Sequence, residues 1–293
     1  MLLYTAQSHS WSTGKEVLEP EQLGQQKNEL ALYLRDLRRQ AGLTGDRLSV
    51  RCGISQSKIS KIETGRVLPS LMDVERILGA LNAPADVVEK VVSLARLANT
   101  EFSGLRSSLR RGLHHRQSEL ASIEAGASNI RFFLPTMITG LLHTPEYAKA
   151  SLATIPGDHS KAIARRLERQ SILYDQSKRF VFVLTEAALR WPLCEPSVMM
   201  VQLGRIATLA ALPNIEVRVI SFGQTLLPEG PLNTFTVYDE SLATAETFGG
   251  AVVMRDPRDV SYHLELFSTF EGYALSPEDS RGFLIALQEK FIP

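Results

Sequence analysis

Apolar positions between Asn28 and Leu81 recur every three or four residues in short runs broken by Gly, Ser and Pro, which predicts short packed helices rather than strands. One run extends from Gly45 to Cys52 with Leu48 and Cys52 inward, since residues four apart share a helix face. Gly53 ends it, because a residue just past a helix terminus often needs positive φ and glycine adopts that without a clash. Ser55 then caps a second run, its hydroxyl accepting from an otherwise unpaired backbone N–H. In that run Ile59 and Ile62 face inward and Gln56, Ser57, Lys58, Ser60 and Lys61 face out. Leu71, Val74, Ile77, Leu78 and Leu81 continue the helical spacing, and Pro84 opens a further helix carrying Val87, Val88, Val91 and Leu94. The pattern predicts an all-α, five-helix unit over residues 27–99, preceded by a flexible arm over residues 1–26.

The pattern changes further on. Residues 100–116 hold four arginines, two adjacent histidines and no acid after Glu101, and their Gly and Ser content predicts a solvated basic linker in preference to a phosphate-tracking segment. From Gln117 helical stripes alternate with short apolar runs. Thr144 and Pro145 form a helix start, and Ala162–Ser177 reads as one long helix whose stripe leaves Arg165, Arg166 and Arg169 largely outside. Phe180–Leu184 and Ile215–Ile220 read as strands flanking a helix over Met199–Leu212, a parallel pair with a crossover. Further strands are expected over Asn233–Tyr238, Leu242–Thr247 and Gly250–Met254, and a last helix over Pro277–Phe291 capped by Ser276. Residues 117–293 are thus expected to form a mixed α/β domain, making the protein multidomain.

The length of 293 residues suits two domains, and 44% hydrophobic with 22% charged residues is a globular balance. No run of eighteen apolar residues offers a membrane span and residues 1–20 lack a signal pattern, so a cytoplasmic protein with no membrane partner is expected. Cys52 and Cys194 form neither a metal-site spacing nor a secreted disulfide framework, and no metal or cofactor is expected.

Charge adds what the hydrophobic pattern cannot. Lysines and arginines balance aspartates and glutamates at 32 each over the chain. Residues 35–66, however, carry Arg35, Arg38, Arg39, Arg47, Arg51, Lys58, Lys61 and Arg66 against only Asp36, Asp46 and Glu63. A positive module inside a neutral protein is the footprint of phosphate contact. Two helices joined by a tight corner, the second opening with small polar and basic residues, meet the physical requirement of a helix-turn-helix. Gln presents a bidentate donor–acceptor pair to adenine, Ser bonds to base edges or phosphate, and Lys reaches guanine or phosphate. The candidate DNA-binding residues are Gln56, Ser57, Lys58, Ser60, Lys61, Arg66, Arg47 and Arg38, with Gln56 and Ser57 at the tip that reaches bases. Such units pair across a two-fold axis, so a homodimer on a double-stranded operator is expected.

The stretch resembles the small helical DNA-binding domains of the phage lambda and 434 repressors, in the XRE family of regulators. The likeness rests on Leu34 and Arg38, Leu43 and Thr44, the Gly53-Ile54-Ser55 turn, Ile59 through Glu63, Gly65 and Arg66, and Pro69 and Ser70. It implies groove-facing roles for Gln56, Ser57, Ser60 and Lys61 and a structural one for Glu63. Residues 117–290 resemble the uncharacterised, antitoxin-like C-terminal domain (DUF5753-like) of actinobacterial helix-turn-helix regulators, through Gly140–Ala148, Arg169, Gln170, Ile172, Leu173, Glu186, Ala188 to Arg190, Gln202, Leu203, Pro213–Ile220 and Leu275–Ser280. The chain has His143 where that family usually has Gln. The resemblance implies a domain that senses a small partner protein encoded nearby, or a small-molecule ligand. Alternatives are an antitoxin-like protein that sequesters a partner and autoregulates, and an enzymatic C-terminal domain. Catalysis is not expected, since no nucleophile elbow, phosphate-binding glycine loop or metal motif is present and Glu186–Arg190 reads as a surface pair.

Overall fold

The computed structural model describes residues 20–223 and 230–291. Five helices open it: α1 (Pro20–Gln40), α2 (Gly45–Cys52), α3 (Gln56–Glu63), α4 (Leu71–Ala80) and α5 (Ala85–Asn99). Their inward faces close on one core of Leu30, Leu34, Leu48, Ile59, Ile62, Val74, Ile77 and Val91, of which the last six hold the positions that their spacing predicts. Of the arm expected over residues 1–26, residues 1–19 lie outside the described residues, while residues 20–26 form the start of α1.

The second half contains β1 (Thr100–Gly104), α6 (Leu105–Arg111), α7 (Leu113–Gly126), β2 (Asn129–Leu134), α8 (Pro145–Ala150), α9 (Ser160–Arg169), β3 (Arg179–Thr185), α10 (Glu186–Arg190) and α11 (Pro196–Leu209). There follow β4 (Ile215–Ile220), β5 (Phe235–Tyr238), β6 (Leu242–Thr247), β7 (Gly250–Met254), α12 (Pro257–Tyr273) and α13 (Pro277–Glu289). The strands form one sheet in the order β1-β7-β6-β5-β2-β3-β4. Strands β2, β3 and β4 are parallel, and β5 runs antiparallel to β2 and leads into an antiparallel meander. Alternation of side chains divides the sheet into two faces. Phe132, Phe180, Phe182, Val217 and Tyr238 pack with residues of α8, α11 and α13 on one face, and Phe133, Val181, Val183, Phe235 and Val237 pack against α12 on the other. Strand β3 is covered on both faces, which is why Phe180–Leu184 within it is an unbroken apolar run.

Residues 100–116, expected as a hinge, are structured instead. Helix α5 passes directly into β1, which pairs antiparallel with β7 from Thr100 opposite Met254 to Gly104 opposite Gly250. Pairing with a sheet edge satisfies backbone donors and acceptors that a linker would leave to water. At the junction the buried Asn99 amide donates to the carbonyls of Pro69 and Ala95, both at 2.9 Å. The helix expected over 162–177 stops at Arg169 and tightens into a 3-10 turn over Gln170–Tyr174. No helix among the described residues is long and apolar enough to cross a membrane.

Candidate nucleic-acid interface

The helix-turn-helix is assembled by local hydrogen bonds that its sequence encodes. Thr44 Oγ1 accepts from the Arg47 amide at 3.2 Å and caps α2. Gly53 ends that helix at φ 66°, placing Ile54 in the core. Ser55 Oγ accepts from the Lys58 amide at 3.3 Å and starts α3. Gly65, at φ 68°, turns the chain out of α3, and the Arg66 amide returns to the Lys61 carbonyl at 2.8 Å. The left-handed φ favours glycine at this exit, and a Cβ there would stand 3.1 Å from Asn28 Oδ1, which would have to shift by a few tenths of an ångström.

With Ile59 and Ile62 buried, Gln56, Ser57, Ser60 and Lys61 are exposed together on the outer side of α3, with Arg47 exposed on α2 and Arg66 exposed just past the end of α3. The Gln56 amide lies over the start of α2, 3.9 Å from where a Cβ on Gly45 would stand. Among the described residues none of Arg47, Lys61 and Arg66 forms an ion pair, so their charges face solvent. This is an exposed donor–acceptor tip with free cations around it, the arrangement that major-groove contact needs.

Two of the expected contacts are placed differently. Arg38 is largely enclosed: its Nε and NH2 donate to the two Glu63 carboxylate oxygens at 2.6 and 2.8 Å, and its NH1 donates to the Leu43 carbonyl at 2.6 Å. The bond to Glu63 raises the affinity of the guanidinium for its proton, although burial opposes this. A bidentate pair of this kind ties α1 to α3 and leaves no donor fork for a phosphate. Lys58 extends toward α4, where its Nζ is 2.9 Å from Asp73 Oδ1. Asp73 also forms a reciprocal cap with Ser70. Burial acts to raise the Asp73 pKa, but the bonds from Lys58 and Ser70 outweigh it and hold the group below the ordinary carboxylate range. Lys58 therefore braces the recognition helix against α4.

Comparison with known proteins bears on both halves. A family profile described as a helix-turn-helix domain matches residues 29–91, and one described as a domain of unknown function, DUF5753, matches residues 117–286. The chain belongs to the DUF5753 family. Its DUF5753 domain begins within α7, and the helix-turn-helix DNA-binding domain lies within α1 to α5. No curated protein matches the sequence. Among solved structures, a phospholipase D family member, Nuc from Salmonella typhimurium, aligns at 11% identity and a TM-score of 0.34, over 55% of this chain and 89% of that one. TrmBL2, an archaeal chromatin protein with a novel mode of DNA binding, aligns at 14% identity and a TM-score of 0.32, over 69% of this chain and 65% of its own. Both likenesses are distant.

In the DUF5753 domain, the residues that carry the family likeness hold one loop in place. Gln170 Nε2 donates to the carbonyls of Gly140 and His143 at 3.0 and 2.8 Å. Gln202 accepts from the Thr144 amide and donates to the Leu142 carbonyl, both at 2.8 Å. His143 is buried, with Nε2 2.9 Å from the Ile138 carbonyl and Nδ1 3.2 Å from Arg166 NH1. Those partners call for the neutral tautomer protonated on Nε2, and burial followed by the charge of Arg166 pushes the ring pKa down to about 3. Glu186, expected at the surface, is buried and accepts from Arg190 Nε at 2.5 Å and the Phe222 amide at 2.9 Å. Sequence reasoning also missed the burial of Glu124 and Arg169 and the partial burial of Arg166, because these depend on helices packed from distant parts of the chain.

Proposed function

We propose that this chain is a sequence-specific DNA-binding transcriptional regulator, working in the cytoplasm as a homodimer, whose C-terminal domain senses a small ligand or small partner protein. The supporting observation is the tip of α3, with Gln56, Ser57 and Ser60 exposed on a helix anchored from behind by Ile59 and Ile62. Gln56 is assigned to base readout, Ser57 and Ser60 to base edges or phosphate, and Lys61, Arg66 and Arg47 to phosphates. Dimerisation is argued from size: one such helix covers a few base pairs, and two across a two-fold axis read half-sites about 34–36 Å apart. The sensing role draws support from buried polar groups in the DUF5753 domain that have no hydrogen-bond partner within the chain. We assign no catalysis to Glu186, whose carboxylate is occupied by Arg190 and the Phe222 amide.

Selection of bound sequences from a random duplex pool tests this reading. It predicts enrichment of a palindromic site whose half-sites lie about one helical turn, or a multiple of it, apart. Recovery of unenriched sequence, or of a single half-site bound by a monomer, would count against it.

A further inference from the structure

Helices α7 and α9 pack together over the face of the sheet that carries Tyr238, and the surfaces they turn toward each other are charged. Arg166 and Arg169 are three apart on α9, and Gln117 and Glu124 are seven apart on α7, so each pair shares a helix face. The side chains of Arg169 and Glu124 are only 5% and 1% exposed. Arg169 Nε stands 3.3 Å from Glu124 Oε2, within ion-pair range, yet neither atom makes a hydrogen bond. Arg169 NH1, Arg166 Nε and Gln117 Oε1 are likewise buried without a partner.

The charges do not balance. Arg166 NH1 donates to Ser151 Oγ at 2.8 Å and faces the neutral His143, so neither neighbour offsets its charge. Burial and then the adjacent Arg169 push the Arg166 pKa down to about 10. Glu246 also acts on Arg166, but it is half exposed and pairs with Arg116 at 3.1 Å. Among the described residues Glu124 is the buried carboxylate paired with Arg169, and burial pushes its pKa up to about 7 against the pull of Arg169. A buried cation that lacks full compensation is costly, and a bound anion relieves that cost.

The same two helices border an open groove of about 790 Å³, whose lining includes Gln117, Arg165, Glu168, Arg169, Asp175 and Lys178. Two of its other cations are already engaged: Arg165 pairs with Glu168 at 2.9 Å, and Lys178 donates to the carbonyls of Ala125 and Ala127. Arg169 pairs with the buried Glu124 rather than with a surface acid, and its Nε and NH1, like Gln117 Oε1, make no hydrogen bond. The fork of Arg169 matches two oxygens of a carboxylate or phosphate, and Gln117 Oε1 accepts from an adjacent hydroxyl or ammonium. We infer that this groove is the binding site for a small-molecule oxyanion, a carboxylate or phosphate held by Arg169 and oriented by Gln117, and that it is the sensing site of the regulator. The last clause rests on the proposed function; the site itself does not.

The full chain is titrated with inorganic phosphate and, separately, with citrate, against sodium chloride at matched ionic strength, following thermal unfolding and calorimetric binding. The inference expects a saturable rise in Tm of roughly 4 °C or more at about a hundred times Kd with at least one oxyanion and none with chloride. Phosphate alone, citrate alone or both responding identifies the headgroup. Arg169→Met abolishes the response, Arg165→Met keeps it, and Gln117→Leu, which leaves the buried charges in place, weakens it. No saturable response to either oxyanion, or a response unchanged in both Arg169→Met and Gln117→Leu, overturns the site. If Arg169→Met unfolds, Gln117→Leu decides alone. Operator affinity is then measured with and without the responding oxyanion: a change supports sensing, and saturable binding without any change leaves the site standing while removing the sensing role.

Discussion

At the scale of single side chains, two buried titratable residues of the C-terminal domain give opposite pH dependences. His143 ordinarily titrates near 6.5 and is held down to about 3. Between those values the unfolded chain binds a proton that the fold refuses, so stability is lost as pH falls through that window. Glu124 ordinarily titrates near 4.5 and is raised to about 7. There the fold retains a proton that the unfolded chain releases, so this contribution is present below pH 4.5 and lost as pH rises toward 7. The two effects oppose each other where the windows overlap. Urea midpoints measured across pH 4 to 8 should therefore respond in opposite senses: His143→Gln removes the loss of stability on acidification, and Glu124→Gln removes the loss on approaching neutrality. Unchanged profiles in both variants would contradict the placement of these groups. Neither group was legible as buried in the sequence. His143 appeared only as a departure from a family pattern, and Glu124 lies in a helix of low amphipathicity whose other acid, Glu119, is exposed.

At the scale of elements, legibility followed the range of the interactions. The limits of α2 and the start of α3 could be read because Thr44, Gly53 and Ser55 act on backbone within three or four residues of themselves. The break after Arg169 could not, because it depends on Gln170 reaching carbonyls about thirty residues away. Strand β1 was hidden for the same reason: its partner β7 lies some 150 residues on in sequence. Of the residues proposed to contact DNA, the exposure of Gln56, Ser57, Ser60 and Lys61 on α3 was legible, whereas the pairing of Arg38 with Glu63 and of Lys58 with Asp73 was not, since these partners meet only in the packed domain. The two glycines of the motif offer a test. Both adopt left-handed φ, which costs a residue with a Cβ about 1–2 kcal/mol. Gly53 has open space beside it, while a Cβ at Gly65 meets Asn28 Oδ1 at 3.1 Å. Gly65→Ala should therefore destabilise the domain more than Gly53→Ala in urea unfolding, and the reverse order would contradict this packing of α1 against the end of α3.

For the whole molecule, the question is how the DNA-binding half connects to the sheet. The cross-domain ion pair of Arg258 with Glu75, at 3.4 Å, is exposed on both sides and contributes at most about 1 kcal/mol. The backbone connection carries more weight, since α5 runs into β1 and β1 is paired along its length with β7. Amides that pair with β7 should exchange with solvent far more slowly than a free linker, and exchange at unfolded-chain rates over residues 100–104 would refute the strand. Such a junction offers a physical route from the C-terminal domain to the recognition helix. Base reading by the tip of α3 is tested most directly by the affinity of the wild type, Gln56→Ala and Lys61→Ala for a selected site and a scrambled duplex over a salt series. Gln56→Ala is expected to lose about 1–3 kcal/mol on the selected site and little on the scrambled one, whereas Lys61→Ala loses on both and lowers the salt slope by about one. Equal losses of Gln56→Ala on both duplexes, or no binding by the wild type at low salt, would contradict the account.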